Sequence, residues 1–101
     1  MWAQLQKVRT KPEKEAQLLD VFEQLTAIEQ AGSGLRRTMV MRSQADPTQV
    51  YVLVVLDSEE QARTREQDPR RQQGLERIRA AMGDVLEGPP EFFDLTVVRD
   101  E

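Results

Sequence analysis

The side chains able to move protons in this sequence are Asp, Glu, Lys and a single tyrosine, Tyr51, because His, Cys and Asn are absent throughout. Their absence removes disulfides, thiolate nucleophiles, zinc sites built on nitrogen and sulfur, Ser-His-Asp triads and His-ligated haem. Tyr51 and Asp94 are the candidates for proton transfer. A carboxylate facing a low-dielectric cavity has its pKa raised, which suits a general base. The competing reading is a hydrogen-bonded pair in a sheet with no chemistry of its own. Around them, Trp2, Gln4 and Gln6 share one face of the first predicted strand. Asp94 and Thr96 hold the matching polar face of the last strand, and Arg36 and Thr38 that of the second. An aromatic ring among polar groups suits a ligand pocket. The same residues equally suit dimer contacts or strand ends, and the alternation does not say which sheet face borders a cavity.

Three further clusters read as structure. Arg63, Arg65, Arg70, Arg71, Arg77 and Arg79 would suit phosphate, but Glu59, Glu60, Glu66, Asp68 and Glu76 are interspersed, as on a solvated helix face. Glu13, Glu15, Asp20 and Glu23 lie along a predicted helix without the loop scaffold that holds a hard cation. Met39, Met41 and Phe22 suit a packed core.

The elements that must position these residues follow from hydropathy. Residues 2–9 alternate as a strand, with Ala3 and Leu5 opposite Trp2, Gln4, Gln6 and Val8. Pro12 near the first helical position predicts a helix from there to about residue 30, with Leu18, Val21, Phe22, Leu25 and Ile28 in one stripe. Gly32-Ser33-Gly34 stops it, since glycine adopts the left-handed conformation freely. Residues 35–42 are a second strand, with Leu35, Met39 and Met41 on one face. Residues 50–56 (VYVLVVL) are apolar on both faces, as expected of a central strand covered from both sides. Ser58 and Gln61 fit a capping box, and the helical region breaks at Asp68-Pro69. The second segment runs to about Met82, with Gly83 ending it. Residues 91–99 form the last strand. The order β-α-β-β-α-β predicts an α+β, ferredoxin-like domain: a four-stranded antiparallel sheet with its helices on one face.

A chain of 101 residues holds one domain with one modest core. The net charge of −4 argues against general affinity for nucleic acid or anionic membranes. No stretch approaches the ~20 apolar residues of a spanning helix. Lys7, Arg9, Lys11 and Lys14 interrupt any signal-peptide core, so a cytoplasmic location is expected.

The opening Met1-Trp2-Ala3, the Lys11-Pro12-Glu13-Lys14-Glu15 entry, Gly32-Ser33-Gly34-Leu35 and Leu56-Asp57-Ser58-Glu59-Glu60 resemble, in order and spacing, the dimeric α/β-barrel superfamily. The resemblance is to its antibiotic-biosynthesis-monooxygenase-like and stress-responsive branches. It implies a homodimer whose sheets meet face to face as a dimeric α/β barrel, with a cavity on the side away from the helices. It also implies either a cofactor-independent monooxygenase or isomerase acting on a hydrophobic ring compound, or a non-catalytic ligand-binding or stress-associated module. The absence of His and Asn departs from the haem-degrading and oxygenase members, so no catalytic residue carries over. No cofactor is expected. The expected partners are a second copy and a small hydrophobic molecule, with no nucleic acid and no membrane. An RNA-recognition module shares the element order, but residues 50–56 offer one Tyr and no basic residue. An acylphosphatase-like reading lacks its Asn, and a copper chaperone its Cys.

Overall fold

The computed structural model describes all residues, 1–101. Its elements run β1 (Trp2–Arg9), α1 (Glu15–Ala27), β2 (Leu35–Arg42), β3 (Gln49–Leu56), α2 (Glu59–Gln67), α3 (Pro69–Val85) and β4 (Glu91–Thr96). The strands form one sheet ordered β2-β3-β1-β4, with every neighbouring pair antiparallel. The fold is the ferredoxin-like one expected, with the second helical region split in two.

Alternation on the two central strands decides where the core lies. Trp2 and Val8 of β1 and Val50, Val52, Val54 and Leu56 of β3 are buried against the helices. Leu18 and Val21 of α1, Ala62 of α2, and Ile78 and Val85 of α3 close over them from one side. The molecule measures 36 × 33 × 19 Å, and its short dimension fits one sheet and one helix layer, each about 10 Å thick. The other sheet face has no layer upon it.

Five local expectations are corrected. α1 starts at Glu15 rather than at Pro12, because residues 11–13 make a turn in which Glu13 takes φ 68° and Lys11 accepts from the Lys14 amide. It ends at Ala27, and the glycines at 32 and 34, both at positive φ, belong to the loop beyond. α3 passes through Gly83 to Val85, where the Leu86 amide donates to Met82. β4 stops at Thr96, where its pairing with β1 ends at Trp2. An irregularity between Leu35 and Arg37 shifts the β2 register. Leu35 therefore packs on the core, and Arg37, not Leu35, shares the open face with Met39 and Met41.

Caps at the second helical region follow the sequence. The Ser58 side chain accepts from the Gln61 amide at the start of α2. Asp68 ends α2 and caps α3 by accepting from the Arg70 amide, with Pro69 as the first helical residue.

Candidate functional site

Register brings five of the predicted site residues together on the helix side of the β1–β4 pair. Trp2 stands opposite Thr96, Gln4 opposite Asp94, and Gln6 opposite Phe92. The helices cover β1 but leave β4 exposed along all six residues, so a shallow groove between α2 and β4 is bordered by Phe92, Asp94 and Thr96, while Trp2 lies buried beneath Arg63. The Gln4 amide donates to Asp94 Oδ1 at 3.1 Å, and the Gln6 amide donates to Gln4 Oε1 at 3.2 Å. Arg63 reaches in from α2, donating to Asp94 Oδ2 at 2.8 Å with its guanidinium 5.1 Å from the centre of the Trp2 ring. Arg63 also pairs with Glu66 at 3.1 Å and Glu59 at 3.6 Å, which fixes it from its own helix.

This geometry reverses the charge behaviour expected of Asp94. The Arg63 guanidinium, and after it the Gln4 amide, hold its carboxyl below the usual carboxylate range, while Asp94 raises Arg63 in turn. The cause is exposure of the edge strand together with a cation that the linear sequence does not place there. An ionised carboxylate of low basicity is a poor proton acceptor. What it does well is fix Arg63 and the two glutamine amides, leaving a row of polar groups beside Trp2 and the exposed Phe92 ring.

Tyr51 lies on the opposite sheet face, so the structure does not bring it to Asp94. It stands in a row across the sheet with Met41, Lys7 and Glu91. The next rows of that face are Met39, Leu53, Leu5 and Phe93, then Arg37, Val55, Ala3 and Leu95. The face away from the helices is therefore largely apolar and carries none of Trp2, Gln4, Gln6, Thr38, Asp94 or Thr96. Thr38 points to the helix side at the far edge of the sheet, and Arg36 sits in the irregular stretch of β2, 3.4 Å from Asp57. Neither approaches the groove. Arg63 is the residue that sequence reasoning missed. Its spacing from Glu59 and Glu66 is that of an ordinary helix-surface pair, which hid its reach to β4.

Two recesses lie elsewhere. One, of about 240 Å³, opens where the end of α1, α2 and the start of α3 meet. The other, of about 390 Å³, is at the end of the sheet among Lys7, Arg9, Glu87, Pro89, Pro90 and Glu91. No group of three or more Asp and Glu side chains is placed to hold a metal.

The family model for antibiotic biosynthesis monooxygenase matches residues 1–77, from β1 into α3. The chain belongs to this family. No curated protein matches its sequence. Solved structures agree in fold: an antibiotic biosynthesis monooxygenase structure from Caulobacter crescentus aligns with TM-score 0.76 at 22% identity, covering 97% of this chain and 90% of its own. One from Nitrosomonas europaea gives 0.74 at 14%, covering 98% and 100%. SnoaB, a cofactor-independent oxygenase from Streptomyces nogalater, gives 0.76 at 14%, covering 98% and 94%. Identities this low establish the shared fold. No helix of this monooxygenase-family chain is long and apolar enough to cross a membrane.

Proposed function

We propose that the protein is a homodimer that binds a small hydrophobic ring compound in the groove between β4 and α2 and oxygenates it without a cofactor. The observation that carries the reading is the Arg63–Asp94–Gln4–Gln6 chain of hydrogen bonds beside Trp2 and Phe92, on a strand that the protein's own helices leave uncovered. The exposed Phe92 ring would hold the ligand's ring, and amide and guanidinium donors would hold its hydroxyl or carbonyl oxygens. Those donors favour the deprotonated, electron-rich form of an acidic phenol or anthrone, whose proton passes to water at the open groove. That anion supplies the electrons that reduce dioxygen. A carbon–oxygen bond forms, and loss of water from the resulting hydroperoxide leaves one oxygen in the product as a carbonyl. Family membership and the fold shared with a cofactor-independent oxygenase support this chemistry. The apolar open sheet face supports the dimer, a state typical of the family.

Binding without turnover is the second reading, favoured by one observation: Asp94 is held ionised and weakly basic, so the groove has no strong proton acceptor of its own. Two measurements separate the readings. Trp2 is the single tryptophan, so its fluorescence reports ring compounds entering the groove. Oxygen uptake with a panel of anthrone-like substrates reports turnover. Saturable quenching with uptake supports the oxygenase, quenching without uptake supports the binding module, and neither signal removes the groove from consideration.

A further inference from the structure

A second charged constellation lies on the other side of α2, where the groove residues play no part. Glu29, just past the end of α1, receives two hydrogen bonds from Arg65, Nε at 2.9 Å and Nη2 at 2.6 Å. Arg71 of α3 brings its Nη1 to 3.5 Å from the same carboxylate, an ion pair too long for a good hydrogen bond, and that buried Nη1 has no hydrogen-bond partner. All three side chains are less than one-fifth exposed. Burial pushes the Glu29 pKa up, but hydrogen bonds from Arg65 and Ser33 bring it below the ordinary range, so it remains an anion. Glu66 also faces Arg71, but it is the partner of Arg63 at 3.1 Å. Arg70, nearby, is neutralised by Asp68, which caps α3. Two guanidinium groups thus share one carboxylate in a place poor in water, and burial together with the Arg65 charge pulls the Arg71 pKa down. A half-buried positive charge lacking its acceptor is costly. The roughly 240 Å³ recess opens beside it, bordered by Arg65, Arg70 and Arg71 and also by the carboxylates Glu29, Glu60 and Asp68.

We propose that this recess between α1, α2 and α3 is a binding site for a small oxyanion, a carboxylate or a phosphate group, held by Arg71 and steadied by Arg65. An oxygen bound in the recess gives the Arg71 guanidinium, which lines it, a closer acceptor than Glu29 at 3.5 Å, and the pair of guanidinium groups matches the paired oxygens of such a ligand. The site needs no residue of the proposed ring-compound groove, so it stands or falls separately.

The test titrates the full-length protein with inorganic phosphate and with acetate at constant ionic strength, followed by amide and arginine Nε–H NMR. The expected result is a saturable shift confined to residues 28–33 and 64–71. Tighter binding of phosphate would assign a phosphate ester, and tighter binding of acetate a carboxylate; either order supports the site. Arg71→Gln should weaken binding by about tenfold or more, as loss of a charge-assisted pair does, while exposed Arg79→Gln should leave it unchanged. Glu29→Gln, which removes the competing carboxylate, should tighten binding and gives an independent reading if the Arg71 variant folds poorly. Absence of saturation into the tens of millimolar, equal losses in the Arg71 and Arg79 variants, or weaker binding by Glu29→Gln would each overturn the proposal.

Discussion

Asp94 shows how far one neighbour can change the chemistry of a residue. A carboxylate on an edge strand keeps its water, and Arg63 at 2.8 Å adds a cation, so the charged form is favoured twice. Its NMR titration should fall below the ordinary carboxylate midpoint, and Arg63→Gln should move it back up. The same variant should shift Trp2 emission to longer wavelength by uncovering the indole, now 5.1 Å from the guanidinium carbon. Unchanged emission would mean that Arg63 does not sit over the ring in solution. Asp46 gives a pH test of the β2–β3 turn. Its carboxylate accepts from the Thr48 hydroxyl, Arg9 and the Thr48 amide, which lower its pKa from the usual value to about 2. A folded-state pKa below the unfolded one stabilises the protein above about pH 4, and the contribution fades as pH falls through about 2. Thermal melts should therefore show Asp46→Ala less stable than the parent near neutrality, with the gap closing in acid. That Gln4 and Asp94 lie on corresponding polar faces of their strands was legible at this scale from alternation; their pairing came from the register. Arg63 was not, because it closes a contact across 31 positions.

At the scale of elements, two glycines of α3 make opposite predictions. A Cβ at Gly74 would lie 2.7 Å from Ile28 Cγ2 and 2.9 Å from Ile28 Cβ, and the latter atom cannot rotate away. Gly74→Ala gains up to about 1 kcal/mol of helix propensity but meets an overpacking cost of about 1–3 kcal/mol, so destabilisation is expected. Gly83 has nothing within 4 Å of its would-be Cβ, and Gly83→Ala should stabilise by about 0.5–1 kcal/mol. Denaturant melts of both variants check the pair, and like signs would refute it. The sequence marks Gly74 only as an unfavourable helix residue. The reason for it, the close crossing of α3 over the end of α1, is tertiary. The irregularity in β2 has the same character: Leu35 looks like a partner of Met39 until the register slips and turns it to the core.

At the scale of the molecule, the 19 Å slab leaves a broad apolar sheet face bare. Phe93, Leu95 and Met41 on that face are 43%, 41% and 37% exposed, enough that replacing them should not disturb the monomer core. A Phe93→Arg, Leu95→Arg double variant should keep its circular dichroism and sediment as a monomer at concentrations where the parent sediments as a dimer. A parent that is itself monomeric at micromolar concentration would remove the barrel. Exposed pairs such as Arg99 with Glu101 should contribute little to folding in either state.

Hydropathy alone determined the element order, the ferredoxin-like fold and the centrality of β3, because strand alternation, helix periodicity and turn chemistry are local and repeat along the chain. It also determined which residues share each face of β1, β3 and β4, since successive side chains of a strand point to opposite sides; in β2 the irregularity at Leu35 broke that alternation. Only the tertiary structure decided which face the helices cover, that Tyr51 and Asp94 stand on opposite sides of the sheet, and that Arg63 and Arg71 take up their stations on two sides of the helix layer. Those outcomes depend on how helices lie across a sheet. That is fixed by packing between residues far apart in sequence, and no local pattern records it.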